Sequence, residues 1–207
     1  MDESTVVGGT KNVDIDTCVQ LDPDIVVANK EENTKADIDA LSKICPVWVA
    51  DIKSIDDVKG MIVALSEIFD RVDTGERVVQ KLDESIANTP RELESVVYLI
   101  WRRPYMTVGG DTFIDHMLGR CGFANAFGDS DRYPEIQLQD ISDRSPDHVF
   151  LSSEPYPFSE QHVADLRDLL GHPSIHLVDG EFFSWYGTRA IHREDYLDTL
   201  MNQLGTN

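Results

Sequence analysis

Residues 54–87 read SIDDVKGMIVALSEIFDRVDTGERVVQKLDESIA, a long run of helical apolar spacing. Ser54 followed by Asp57 has capping-box spacing, with Asp where Glu or Gln is more usual. Apolar side chains fall at Val58, Met61, Ile62, Leu65, Ile68, Phe69 and Val72, then at Val79, Leu82 and Ile86, before Thr89-Pro90 stops the run. Spacings of three and four held over this distance predict one amphipathic helix of about 30 residues, bent near Gly75. At ~1.5 Å per residue it would span roughly 45–50 Å, longer than a small lobe is wide. A helix of that length is expected to run between two bodies.

On both sides of it short helices alternate with apolar runs. Ahead of it, Asp14 can cap a helix that Pro23-Asp24 ends, and residues 25–28 form a continuous apolar run suited to a buried parallel strand. Asn33 or Thr34 can cap a second helix with Ala36, Ile38, Leu41 and Ile44 on one face; Pro46 ends it, and residues 47–50 make a second strand. After Pro90 the predicted order is strand 96–101, a Gly109-Gly110 loop, a helix to Cys121 capped by Asp111 or Thr112, strand 149–152, helix 160–170, strand 175–178 and a closing helix 193–204. Such alternation predicts an α/β protein with parallel sheets: a lobe over 1–53, a backbone helix over 54–89 and a second lobe over 90–207. A weak internal echo supports two similar lobes, for Pro23-Asp24 and Pro146-Asp147 each end a helix and launch an apolar strand.

Composition narrows the function. The formal charge of -20 excludes a phosphate-backbone partner, which needs clustered Lys and Arg. No apolar run approaches the roughly 18–20 residues of a membrane span. Cys18, Cys45 and Cys121 form no CxxC pair, and their odd number indicates neither a disulfide framework nor a zinc cluster. The six histidines show no helical pairing with one another, so no metal site is expected. Residues 1–8 carry no signal-peptide pattern, which leaves the compartment open. Neither a GxSxG elbow, a P-loop, an HExxH nor a GxGxxG occurs, so catalysis has no sequence support. Gly109-Gly110-Asp111-Thr112 either makes a turn or offers N–H groups to an anion.

In open parallel sheets ligands bind outside the carboxyl ends of the strands. The loops that follow the predicted strands hold Trp101, Arg102 and Tyr105; Glu154 and Tyr156; and Trp185, Tyr186 and Arg189. A rim of Trp, Tyr and Arg suits a flat, sizeable, partly anionic ligand.

Five blocks in order carry a family likeness: VGGTKN at 7–12, PDIVVANKEEN at 23–33, YLIWR at 98–102, MTVGGDT at 106–112 and SWYG at 184–187. They resemble the periplasmic-binding-protein-like receptors with a helical backbone, which serve ABC importers of iron-siderophore complexes, haem and cobalamin. The resemblance implies two Rossmann-like lobes on one long rigid helix, with a metal chelate or corrinoid held between them. It also implies no built-in cofactor, the ligand bringing its own iron or cobalt, and an extracytoplasmic setting with a membrane permease as partner. The ligand residues would be Trp101, Arg102, Tyr105, Glu154, Tyr156, Trp185, Tyr186 and Arg189. Docking on the permease would use Glu31 or Glu32 on one lobe and Glu154 or Glu181 on the other. Such receptors begin with a further strand-helix-strand unit, so the N-terminal lobe is expected to be incomplete. Two rival readings are an enzyme or metal-cofactor-handling protein on a nitrogenase-component-like fold, which would need clustered Cys or His, and a fragment unable to bind.

Overall fold

Side-chain caps at Asp14, Thr34, Ser54 and Thr112 set helix starts in the chain, which the computed structural model describes over residues 4–85, 94–171, 174–187 and 194–204. The chain divides into two compact units, Met1–Ile52 and Lys53–Asn207.

In the first unit β1 (Gly8–Gly9) and β2 (Asn12–Val13) pair antiparallel around a tight turn. Asp14 accepts from the Thr17 N–H and starts α1 (Ile15–Leu21), and Asp22 closes it in a left-handed conformation just before Pro23. β3 (Val26–Asn29), α2 (Lys35–Leu41) and β4 (Val47–Ala50) follow, with Thr34 capping α2 through the Asp37 N–H. β3 and β4 pair in parallel, Val26 opposite Val47 and Asn29 opposite Ala50.

The second unit opens with the stretch expected to be one long helix, and here the sequence reading fails. Residues 55–85 form two helices, α3 (Ile55–Ile68) and α4 (Val72–Ser85), lying antiparallel. Lys59 on α3 forms an ion pair with Asp83 on α4, and the Gly75 backbone approaches Ser66. The break sits at Asp70 rather than at Gly75. Asp70 has φ 53°, its N–H bonds the Glu67 carbonyl at 3.2 Å, and the Arg71 N–H bonds the Ser66 carbonyl at 2.7 Å. That pair of bonds is a Schellman ending, with Asp instead of Gly in the left-handed position, as its short polar side chain permits. Ile68, Phe69 and Val72 kept the apolar period running through the break, yet they are 41%, 53% and 45% exposed at the reversal. Gly75 is a close-packing glycine, since a Cβ there would sit 2.5 Å from the Ser66 Cβ.

The remainder is an α/β lobe. Its elements are β5 (Glu94–Leu99), β6 (Tyr105–Met106), α5 (Phe113–Arg120), β7 (Phe123–Asn125), β8 (Glu135–Ile136), α6 (Leu138–Arg144), β9 (His148–Ser152), α7 (Glu160–Leu170), β10 (Ile175–Val178), α8 (Gly180–Ser184) and α9 (Glu194–Leu204). Four strands form one parallel sheet in the order β10-β9-β5-β7. Alternation along the strands sends Val97, Leu99, Val149 and Leu151 into one core with Ile141, Val163 and Leu166, while Tyr98 and Phe150 meet Phe183 on the other face. These side chains are almost wholly removed from water, each burial contributing about 1.5–3 kcal/mol. Ser145 repeats at Pro146 the left-handed ending that Asp22 makes at Pro23, with φ 46° in both, so the two echoed turns share a geometry.

Candidate functional site

The strand order marks out a candidate site. β5 leads through α5 to β7 on one side, whereas β9 leads through α7 to β10 on the other. The chain therefore diverges beyond the carboxyl ends of β5 and β9, and this switch point is where open parallel sheets hold ligands.

Beyond β5 the chain reverses tightly. The Ile100 N–H bonds the Met106 carbonyl and the Met106 N–H bonds the Trp101 carbonyl, at 3.0 and 3.2 Å. β6 then pairs antiparallel with β8, anchoring the returning strand. The loop leaving β9 docks on this reversal through the Tyr156 N–H and the Ile100 carbonyl, 3.4 Å apart. Side chains follow: the Trp101 and Tyr156 rings meet edge-on with centroids 5.5 Å apart, and Tyr156 in turn packs on Phe158 and His162. Each such pair contributes about 0.5–1.5 kcal/mol beyond area burial. Trp101 remains 40% exposed.

Arg102 lies beneath this pair with its guanidinium 3.3 Å from the Asp165 carboxylate on α7. Partial burial opposes its charge, but hydrogen bonding with Tyr105 and Tyr156 outweighs that and raises its pKa. The Gln161 amide foremost, then the charge of Arg102, holds the Asp165 carboxyl below its usual range. Arg102 thus braces Tyr105 and Tyr156 while its charge is matched by Asp165.

A second group forms where β9 and β10 end. The Trp185 indole N–H donates to Glu154 Oε1 at 2.7 Å, and the Ser184 hydroxyl lies 2.8 Å from the same oxygen. Trp185 is 50% exposed. From below, the buried Tyr98 hydroxyl donates to Ser152 Oγ at 3.1 Å, and Ser152 donates to the Glu154 carbonyl at 2.5 Å. Gly180 lets these groups close up, since a Cβ there would lie 2.4 Å from Ser152 Oγ and 2.6 Å from Glu154 Cγ. Tyr186 stands edge-on to Phe113 at 5.6 Å.

Six of the eight residues expected at a ligand rim thus belong to loops beyond this sheet edge and Tyr105 to β6, while Glu154 and Tyr156, two apart, link the two groups. Arg189 lies outside the described residues. Asp165, Ser184 and Gly180 were not foreseen. Asp165 looks like an ordinary solvated helix residue in sequence, and nothing marks the bond from Ser184 before α8 is known.

Among the expected docking acids, Glu31 and Glu32 follow β3 in a loop pinned by Asn29, whose side-chain oxygen accepts from both of their N–H groups at 2.7 and 3.2 Å. Glu32 is exposed and Glu31 half-buried. Glu181 lies in the first turn of α8, its N–H donating to Asp179 Oδ1. The Gly109-Gly110 pair makes a turn, because its N–H groups are taken by the Arg132 and Ser130 carbonyls at 2.8 and 2.9 Å. Among the described residues no group of three or more His, Cys, Asp or Glu is placed to hold a metal, and no helix is long and apolar enough to cross a membrane.

Comparison with known proteins agrees with this architecture. A relative, the vitamin B12-binding protein of Pectobacterium carotovorum, is 20% identical over 158 residues, which are 72% of this chain and 57% of that protein. The match thus spans little more than half of that relative's length. Among solved structures, a periplasmic heme-binding protein of Vibrio cholerae superposes with a TM-score of 0.73 at 18% identity, covering 94% of this chain and 83% of the other. An Fe3+-hydroxamate transport protein of Saccharomonospora viridis gives 0.68 at 20% identity, covering 98% and 76%. At these identities the structural likeness carries the fold alone. The family model described as periplasmic binding protein matches residues 1–176, most of the chain. The chain belongs to the periplasmic binding protein family.

Proposed function

We propose that this chain is the solute receptor of an ABC importer and captures a metal chelate or corrinoid, of the ferric-siderophore, haem or cobalamin kind, at the carboxyl edge of the four-stranded sheet. The family is one of binding proteins rather than enzymes, and its members work outside the cytoplasm. The observation that carries the site is a pair of half-exposed indoles beyond the carboxyl ends of the sheet, Trp101 after β5 and Trp185 after β10 and α8. Two exposed indoles held next to rigid strands offer a wide planar ligand large contact area at little conformational cost. Delivery to a permease would use Glu31 or Glu32 and Glu154 or Glu181, acids at the carboxyl ends of β3, β9 and β10.

Thermal unfolding of the full chain with cobalamin, haem and a panel of ferric siderophores tests the proposal. A ligand at about 100 times its Kd adds ~2.7 kcal/mol, which for a chain of this size raises Tm by roughly 5–10 °C. If no compound of these three kinds shifts Tm, the receptor reading is wrong.

A further inference from the structure

We propose that the α3–α4 hairpin opens at Asp70 and exchanges between two copies of the chain, so that α3 of one copy seats on α4 and α5 of the other.

The break between α3 and α4 is weakly written. Only residues 69–71 separate the two helices. Asp70 takes the left-handed conformation there at φ 53°, a position that favours Gly. Arg71, which precedes α4, has no side-chain acceptor with which to cap it, and its guanidinium instead donates to the Asp70 carbonyl at 2.8 Å. The apolar period of the sequence meanwhile runs straight through, and Ile68, Phe69 and Val72 are left exposed at the reversal. Straightening this hinge relieves Asp70 and offers the first-turn N–H groups of α4 the carbonyls at the end of α3. Short hinges held in an unfavourable conformation are where elements exchange between copies.

The element exchanged has a defined seat. Val58 on α3 and Leu82 on α4 are fully buried, Lys59 pairs with Asp83, and the Gly75 backbone approaches Ser66. A small cavity bounded by Ile55, Lys59, Leu82, His116 and Arg120 marks where α3 and α4 meet α5. Lys53, just ahead of α3, lies 3.7 Å from Asp111, just ahead of α5. A second copy can supply each of these contacts, since none involves the hinge residues. It also extends them. The antiparallel pairing of 59 with 83 and of 66 with 75, continued along two opened helices, sets Phe69 against Val72 of the other copy and Asp70 against its Arg71. Apolar side chains that the hairpin leaves in water are thereby covered, with an opposite-charge pair on each side of the twofold axis.

The test uses the native chain, refolded from urea at high concentration in about 0.5 M salt, which screens the net charge of -20 on each copy. Sedimentation velocity should show a dimer beside the monomer. The two interconvert slowly, because α3 must leave its seat to exchange, so gel filtration separates them. Refolding an equal mixture of nitrogen-15-labelled and unlabelled chain, then coupling Lys59 to Asp83 with a carbodiimide, reads the exchange by mass. In the dimer about half of the linked peptides should join a labelled to an unlabelled chain, and in the monomer none should. Asp70→Ala should raise the dimer share about threefold, and Asp70→Gly should lower it by as much. Absence of a dimer overturns the proposal, as does a dimer whose linked peptides carry a single label. A dimer share that rises with Asp70→Gly overturns Asp70 as the hinge.

Discussion

Replacing Gly75 by Ala distinguishes a helical hairpin from a continuous helix by the sign of its effect. In a straight exposed helix the change removes a poor helix former and stabilises by about 1 kcal/mol. In the hairpin the new Cβ would sit 2.5 Å from the Ser66 Cβ and 2.6 Å from its Oγ. Comfortable carbon contacts lie at ~3.5–4.0 Å, so α4 must retreat by about 1 Å along its packed side. Overpacking of this sort costs ~1–3 kcal/mol, and after the gain in helix propensity a loss of up to ~2 kcal/mol remains. For a chain of this size that lowers Tm by up to ~8 °C. Scanning calorimetry and urea midpoints on the single variant give the sign. A double-mutant cycle with Ser66→Gly, which removes the opposing Cβ, should recover at least ~1 kcal/mol of the loss. Asp70→Gly supplies an independent check, stabilising by about 0.5–1 kcal/mol by relieving the left-handed residue that ends α3. A higher Tm for Gly75→Ala, with no coupling to Ser66, would refute the hairpin.

Other perturbations test the rim and the caps. Gly180→Ala drives a Cβ into Ser152 Oγ and Glu154 Cγ, at 2.4 and 2.6 Å. It should destabilise by ~1–3 kcal/mol and weaken ligand capture, read by Tm and by calorimetry on the same sample. Acid should destabilise the protein through carboxylates that accept hydrogen bonds. Asp14, Asp57 and Asp111 are held below the usual carboxylate range, foremost by hydrogen bonds from Thr17, Ser54 and the Arg132 N–H respectively. A depressed carboxyl contributes stability that is present above its ordinary pKa of about 3.9 and lost as pH falls further, so these groups predict a decline below about pH 4. Burial lowers the His116 pKa, so His116 favours the neutral form and adds a loss that begins as pH falls below about 6.5. Urea midpoints at pH 7, 5.5 and 3.5 measure both; a midpoint that rises toward pH 3.5 would contradict them.

Much of this fold is written locally, and the errors show where locality ends. The predicted 47–50, 160–170 and 175–178 elements match β4, α7 and β10 to the residue, because each apolar run has turn or cap residues at both ends. Thr112 and Ser54 cap as their side chains suggest, through the N–H groups of Asp115 and Asp57. The reversal at Asp70 escaped notice since the usual punctuation of a helix end is Gly, and the glycine that was present, Gly75, serves close packing instead. β7 is only three residues long and pairs solely with β5, so its identity comes from a neighbour distant in sequence. The positions of the candidate rim residues were legible for a different reason: the loops after parallel strands can be read once the strands are placed, and most of the aromatic residues stand on or beside those loops. How those residues engage one another was not legible. The match of Arg102 to Asp165, and the grip of Ser184 and Trp185 on Glu154, join helices and loops whose meeting depends on the finished sheet.

The proposed function puts ligand against Trp101 and Trp185 at the carboxyl edge of the sheet. Calorimetric titration of the Trp101→Ala/Trp185→Ala double variant, with whichever compound stabilises the native chain, tests this directly. Truncating two ligand-facing indoles removes about 3 kcal/mol, so affinity should fall about a hundredfold while the apo Tm changes little. Undiminished affinity in the double variant would place the ligand elsewhere and contradict the account.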